Sequence, residues 1–386
     1  MSVLVSASAT GAWAWSGLRL EPRPAMSDNG AHVGLPESQR RAEAAALEQV
    51  WLSRQWVPDG RAFELRYTNG AHGITGTLLC RAGGTDGASA SAAALALRDA
   101  LSDSPRHVRA TPIENAGELH RVLVPSGHPP SGLAEVRKRL LWSYLRRRDT
   151  DFPLGVAFEP LVPESVSWEP VWEALVRESV ATTVSICLEP YAPPYELRTY
   201  LTYLAQEYGR LSQPGRPNPV FTQYIPPDPF ALRAATLYQE ALGTLTDRAY
   251  RLRISLAAPG AVPHHLAGLI AATVSAPYAS GAGRPVAQAV AAHEAPYAWG
   301  NITGLQHCWL AETYGQGVPQ PLGERERVLA DLVDVPQASA AFRFPYEIPG
   351  RPPLFAASGR AGPAATPTSG GTSRIPEGRD PHTPTF

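Results

Sequence analysis

"AFELRYTNGAHGITGTLLCRA", residues 62–82, decides the reading of this chain. Phe63, Leu65 and Tyr67 alternate with polar neighbours, which is the period-two pattern of a strand with one buried face. Asn69-Gly70 is a turn dipeptide, and Ile74 to Cys80 returns as the partner strand, so the stretch predicts a β-hairpin. The Ala/Leu run "GASASAAALALRDALSD" follows as a helix, then a short strand "HVRATPI" and a helix "ENAGELHRVLVP", giving the order β-β-α-β-α.

Upstream, "ESQRRAEAAALEQVWLSRQW" (37–56) reads as a helix ended by Pro58 and Gly60. Downstream, "SGLAEVRKRLLWSYLRRR" (131–148) places Leu133, Val136, Leu140, Leu141, Tyr144 and Leu145 at helical spacing and crowds arginines elsewhere, so it too is expected to be a helix. Then come an extended "DFPLGVAFEPLV", a helix with Pro170 in its first turn, a continuous apolar strand "ATTVSICLEP" and the amphipathic helix "YELRTYLTYLAQEYGRL". The proline-rich 213–229 is an excursion before a further helix, and "AYRLRISLAAPGAVPHHLAGLIAATVSA" is a strand, a Pro-Gly turn and a helix. Strand–loop–helix elements thus start near Phe63, Ala181 and Ala249, a loose pseudo-repeat.

The fold class expected is α+β, with two ferredoxin-like split βαβ units wrapped by extra helices. Residues 1–37 are expected to be a loose extension, with Met26 as an alternative start. The first unit covers 38–130, the second 131–355, and 356–386 is a low-complexity tail acting as linker or tether.

With 386 residues, 44% hydrophobic and a mean hydropathy of −0.17, the chain can build a sizeable core. Net charge is −1, without the basic excess of an obligate nucleic-acid binder. Lys138 is the sole lysine, a bias typical of a GC-rich, actinobacterial-like genome, and this leaves no lysine for a phosphate loop, a Schiff base or a general base. Cys80, Cys187 and Cys308 are widely spaced and odd in number, which fits reduced thiols in a cytoplasm rather than a disulfide framework. No segment approaches 18 uninterrupted apolar residues.

P-loop chemistry needs Gly-x4-Gly-Lys-Ser/Thr, and Lys138 has no glycine loop before it. "GTDGAS" and "SGAGRP" lack the dinucleotide-loop spacing, and no Gly-x-Ser-x-Gly elbow occurs. His264-His265, His293-Glu294 and His307-Cys308 lack a second ligand at metal-binding spacing, and Glu159, Glu164 and Glu169 share no face. Catalytic, cofactor and metal residues are therefore assigned to none. The charged feature that stands out is the Arg137–Arg148 cluster, read either as a solvated helix face or as a docking strip for an acidic partner or a nucleic-acid backbone.

"ALEQVWLSRQW…AFELRYTNGAHGITGTLLCRA" with its Ala-rich helix resembles the start of bacterial HerA/FtsK-superfamily ATPases of the conjugation and type IV secretion kind. "VATTVSICLEPYAPPYELRTYLTYLAQEY" and "LADLVDVPQASAAFRFPYEIPGRPPL" look like later parts of the same non-motor region, where a Phe-Arg-Leu-Pro-like turn hands over to the motor. The resemblance covers roughly 41–355 and includes no motor signature. It implies a cytoplasmic assembly or adaptor protein, on its own or at the periphery of a membrane-bound machine. Its partner would be a separately encoded P-loop motor ATPase or another subunit of that machine, homo-oligomers being compatible and nucleic acid contacted only indirectly. The residues expected to bind the partner are Arg137, Arg139, Arg146, Arg147 and Arg148, with Phe342, Arg343, Phe344 and Pro345 of the handover turn. Two rival classes remain open: an enzyme with a scattered His/Glu site, and a single-strand nucleic-acid binder.

Overall fold

A computed structural model describes residues 2–8, 11–23, 35–126, 129–162, 167–215, 224–275, 283–315, 317–348 and 350–356. The first half of the chain contributes β1 (Leu4–Ser8), β2 (Gly11–Pro22), α1 (Glu37–Gln55), β3 (Ala62–Gly70), β4 (Gly73–Gly84), α2 (Gly87–Leu101), β5 (Val108–Pro112) and α3 (Ala116–Leu123). The second contributes β6 (Gly132–Arg137), β7 (Leu140–Tyr144), β8 (Leu154–Phe158), α4 (Glu169–Arg177), β9 (Thr183–Tyr191), α5 (Tyr195–Leu211), α6 (Pro229–Thr244), β10 (Ala249–Ala258), α7 (His264–Thr273) and β11 (Val286–Ala289). Then follow α8 (Ala295–Gly304), α9 (Ala311–Gly315), α10 (Glu324–Asp331), β12 (Leu332–Val333) and α11 (Val335–Ala341).

The named strands pair antiparallel, Phe355 adds a lone parallel bridge to Ile74 of β4, and the main sheet runs β5-β2-β4-β3-β9-β10-β6-β11. β1 extends the β2 edge beside β5, and β12 pairs with β10 beyond β6. In β2-α1-β3-β4-α2-β5 the spatial order is fourth, first, third, second strand, which is the ferredoxin-like split βαβ arrangement. β6-α4-β9-β10-α7-β11 repeats it, and the two halves meet edge to edge where β3 pairs with β9. The fold is α+β. The repeat is twofold: the three expected starts fall on β3, β9 and β10, which are the second strand of each half and the third strand of the other.

One register step separates two opposite faces. Leu18, Leu78, Leu65, Ile186, Ile254 and Val136 form an apolar line across six strands. Onto this face pack Trp51 and Leu52 of α1, Ala90, Ala94 and Leu97 of α2, Val171 and Trp172 of α4, and Leu266 and Ile270 of α7. The next line reads Arg19, Thr77, Arg66, Ser185, Ser255, Glu135 and Gln288, wholly polar across seven strands. This second face is covered by α3, α8, α9 and the chain between them, through Leu119, Leu123, Leu305, Ile302, Leu310 and Tyr314.

Three sequence expectations change. Residues 1–37 are not a loose extension: β1 and β2 lie inside them, and Ala14, Leu18 and Leu20 are buried between β4 and β5, while 24–34 fall outside the described residues. A short, small-residue strand with Trp13 and Trp15 alternating carries too little hydrophobicity to stand out alone; pairing supplies its stability. Residues 131–148 are not a helix but β6 and β7, because Val136, Trp142 and Tyr144 fit a pleated surface and the helical spacing of the leucines is coincidental. The hairpin tip is Ala71-His72, and Asn69 instead accepts from the Thr182 N–H at 2.6 Å and donates to the carbonyl of Glu178 at 2.8 Å, fixing the entry to β9.

The proline-rich 213–229 is closed at its base, where the Gly215 N–H donates to the Ile225 carbonyl at 2.9 Å; 216–223 lie outside the described residues, as does the expected tail from 357. "AFRFP" crosses the first-face core. Phe342 lies 5.4 Å from Phe63 edge to face, and Phe344 4.9 Å from Trp51 in the same way. Phe342→Ala is predicted to cost about 3–5 kcal/mol in urea unfolding. Arg146→Ala, on an exposed strand end, should stay within about 0.5 kcal/mol.

Candidate functional site

The charged residues of the second face are inside the protein. Glu64, fully buried on β3, accepts from Arg66 Nε at 2.8 Å and from Arg253 Nη2 on β10 at 2.7 Å. Arg66 also donates to the carbonyls of Leu123 and Ile302, each at 2.8 Å. Arg253 donates to the carbonyls of Asn301 and Gln306, each at 3.0 Å, and to Ser255 Oγ at 2.6 Å, which in turn donates to Glu135 at 2.6 Å. Burial works against the Arg253 charge, yet Glu64 and its neighbours raise its pKa; burial also raises Glu135 against the pull of Arg253 and Arg137.

The same arginines clamp a strap of backbone, 301–308, onto the sheet. Arg251 donates to the His307 carbonyl at 2.9 Å, and Arg81, its guanidinium 4.4 Å above Trp13, reaches the Gly304 carbonyl at 3.4 Å. Leu305 turns the strap at φ 53, a left-handed conformation unusual for leucine, and its side chain is fully buried in return. Asn301 closes the strap on itself, accepting from the Cys308 N–H at 2.7 Å and donating to the Cys308 carbonyl at 2.9 Å. Arg66 and Arg253 at the centre of this set are bound to a fixed carboxylate and to backbone carbonyls, so the constellation acts as a structural clamp.

The expected partner-binding residues divide sharply. Arg137 is buried, paired with Asp331 and lying 3.8 Å above the Tyr314 ring. Arg139 donates to the Arg284 carbonyl at 2.9 Å. Arg147 is buried, bound to Asp149 at 2.6 Å and to the Gln213 carbonyl at 2.8 Å. Arg343 is buried against Glu48 at 2.5 Å, while Phe342, Phe344 and Pro345 are core residues that offer no surface in this conformation. Only Arg146 and Arg148 of the set stay exposed.

They are not alone. Trp142, Tyr144, Arg146 and Arg148 alternate outward along β7 and its extension, while Leu141, Leu145 and Arg147 turn inward. β7 pairs with β8 in a two-stranded sheet separate from the main one, resting on the α5–α6 hairpin. Trp142 and Tyr144 meet edge to face at 6.2 Å. The helix reading of 131–148 hid this strip; the signal was the alternation W-x-Y-x-R-x-R itself.

The histidine candidates stay dispersed. His265 pairs with Glu178 at 2.7 Å and His293 with Glu312 at 3.6 Å, both on the surface. No group of three His, Cys, Asp or Glu suited to a metal occurs among the described residues. Sequence reasoning missed Glu64, Arg66, Arg253 and Ser255, whose alternation was visible but whose polar side was assigned to solvent. No protein-family model matches the chain, and no curated protein matches it.

The clamp can be tested at two residues. Glu64→Gln removes the one charge shared by Arg66 and Arg253 and should cost about 3–5 kcal/mol in urea unfolding, against less than about 0.5 kcal/mol for an exposed pair such as Glu173→Gln. His307 is buried, has no hydrogen-bond partner on either ring nitrogen among the described residues, and is held well below the ordinary 6.5, by burial first and then by Arg251, Arg253, Arg81 and Arg137. The unfolded chain therefore binds a proton there that the folded chain refuses, so stability should fall as pH drops below about 6.5. His307→Phe should flatten that slope in unfolding midpoints measured across the acid range.

Proposed function

We propose that the chain is a non-catalytic assembly or adaptor subunit that docks a separately encoded P-loop motor ATPase through the outer face of β7 and the arginines after it. The observation that carries the reading is the outward alternation of Trp142, Tyr144, Arg146 and Arg148 on an inserted hairpin. Tryptophan, tyrosine and arginine are the residues that dominate interface energetics, and exposing two large rings side by side has a solvation cost that binding would recover. The arginine forks select an acidic partner surface.

A single-strand nucleic-acid surface is the weaker use of this strip. The rings stand 89° apart rather than forming a stacking platform, and the net charge is −1. The resemblance to the non-motor region of HerA/FtsK-superfamily ATPases supplies the choice of partner, and a cytoplasmic location belongs to the same reading.

Affinity capture from the host tests it, with Arg146→Glu/Arg148→Glu and Trp142→Ser/Tyr144→Ser as controls. Arg147 is left intact because its loss would break the Asp149 and Gln213 contacts. The native protein should recover a P-loop ATPase, and each double variant should lose about tenfold or more with an unchanged melting temperature. Recovery equal in all three proteins, or no ATPase with any, would sink the proposal.

A further inference from the structure

A cavity of about 300 Å³ lies between the α5–α6 hairpin, the chain leaving β8 and the segment from α10 to α11, at the lower end of the range of small-molecule sites. Its walls are mostly apolar, with Phe158, Leu161, Leu201, Leu237 and Leu329 among them. Most of its polar side chains are tied to the protein itself. Tyr238 donates its hydroxyl proton to the Val156 carbonyl at 2.8 Å, Thr244 donates to the Glu240 carbonyl at 3.1 Å, and Asp334 accepts from the Gln337 N–H at 2.8 Å. Lys138 donates to the Leu332 carbonyl. Gln337 is the exception. Its side chain lines the cavity, and the residue is 9% exposed. The Leu161 N–H, which can only donate, meets Oε1 at 3.2 Å and so fixes which end of the carboxamide is which. Nε2 is left for the cavity, and it has no hydrogen-bond partner among the described residues. A buried amide donor without an acceptor is costly, and a ligand that supplies the acceptor removes that cost.

The lining also selects the class of ligand. Burial pushes Lys138 down to about 8, so it is still a cation at neutral pH, and Asp334 stands against it as a counter-charge. Glu240, exposed on α6, adds a further negative charge. A carboxylate would thus meet an excess of negative charge, and an ammonium could only donate where an acceptor is needed. A neutral carbonyl accepts without either drawback, and the apolar walls suit an apolar body behind it.

We propose that this cavity is a binding site for a small, uncharged, apolar molecule with one carbonyl group, held by a hydrogen bond from Gln337 Nε2 to the carbonyl oxygen. Binding is non-covalent, and Lys138 keeps its own contacts. The site is separate from the β7 strip and stands or falls apart from the docking reading.

A matched set of probes tests this on the full chain at neutral pH, by ligand-observed saturation-transfer NMR titration. Benzylacetone carries a neutral carbonyl, hydrocinnamate has the same skeleton with a carboxylate in its place, and 3-phenylpropylammonium carries the opposite charge. Benzylacetone should bind with a dissociation constant of about 1 mM or tighter, as befits a ligand of its size. The two ions should bind at least about fivefold more weakly, the margin that one hydrogen bond supplies. Gln337→Glu keeps an acceptor for the Leu161 N–H but replaces the Nε2 donor, and it should weaken benzylacetone by about fivefold or more with a near-native melting temperature. Ala241→Trp, which fills the cavity, should abolish binding. No saturation transfer to benzylacetone at millimolar concentration, equal affinity for benzylacetone and either ion, or benzylacetone binding unchanged in a folded Gln337→Glu or Ala241→Trp variant would overturn the proposal.

Discussion

A buried carboxylate ties the two halves of this protein together beneath the β3–β9 pairing. Glu64 belongs to the first ferredoxin-like half, and it is shared by Arg66 of the same half and Arg253 of the second. A carboxylate taken out of water is expensive unless paired and fully hydrogen-bonded. Here two guanidinium groups meet it, and their remaining N–H groups reach serines and the carbonyls of the 301–308 strap. The face that other sheets leave to solvent is thereby made interior. Covering it requires α3, α8, α9 and the strap, which explains why a doubled sheet of this kind carries so much chain after β11.

With both faces of the main sheet occupied, surface left for recognition lies on the insertions. The β7–β8 hairpin and the α5–α6 hairpin both interrupt the second half of the repeat, and they pack on each other through Leu141, Leu145, Leu204 and Tyr208. The β7–β8 hairpin turns its aromatic and arginine side outward, and the cavity with Lys138 opens at the foot of the same insertion. Frame and exposed inserts are thus divided between the repeat and its interruptions, the usual division between rigid frame and variable loops.

Much of the fold was legible in local pattern. Phe63, Leu65 and Tyr67 announced β3, the apolar run of 183–191 announced a central strand, and Leu197, Leu201, Leu204 and Tyr208 announced α5. What failed depends on contacts remote in sequence. β2 is stabilised by β4 and β5, and nothing in "GAWAWSGLRLEP" alone demands it. In 131–148 helical spacing and strand alternation coexist, and pairing of β6 with β10 decides between them. The polar side of β3 and β10 could be read as polar but not as buried, because burial comes from a strap some 50 residues beyond β10 and 236 beyond Arg66. The same limit turned Phe342 and Phe344 from an expected handover surface into core.

The measurement closest to the central claim is amide hydrogen exchange across the strap, resolved at Gln306 and Cys308. Both amides are tied to Asn301, at 2.9 and 2.7 Å, beneath carbonyls gripped by Arg66, Arg251 and Arg253. If the strap is part of the folded core, these amides should exchange only through unfolding on the scale of the whole molecule, as slowly as the central strands β9 and β10. Exchange as fast as at the tip of the β3–β4 hairpin would mean that the strap opens independently. The polar face beneath it would then be a binding surface with a lid, and Glu64 with its arginines would not be the clamp that joins the two halves.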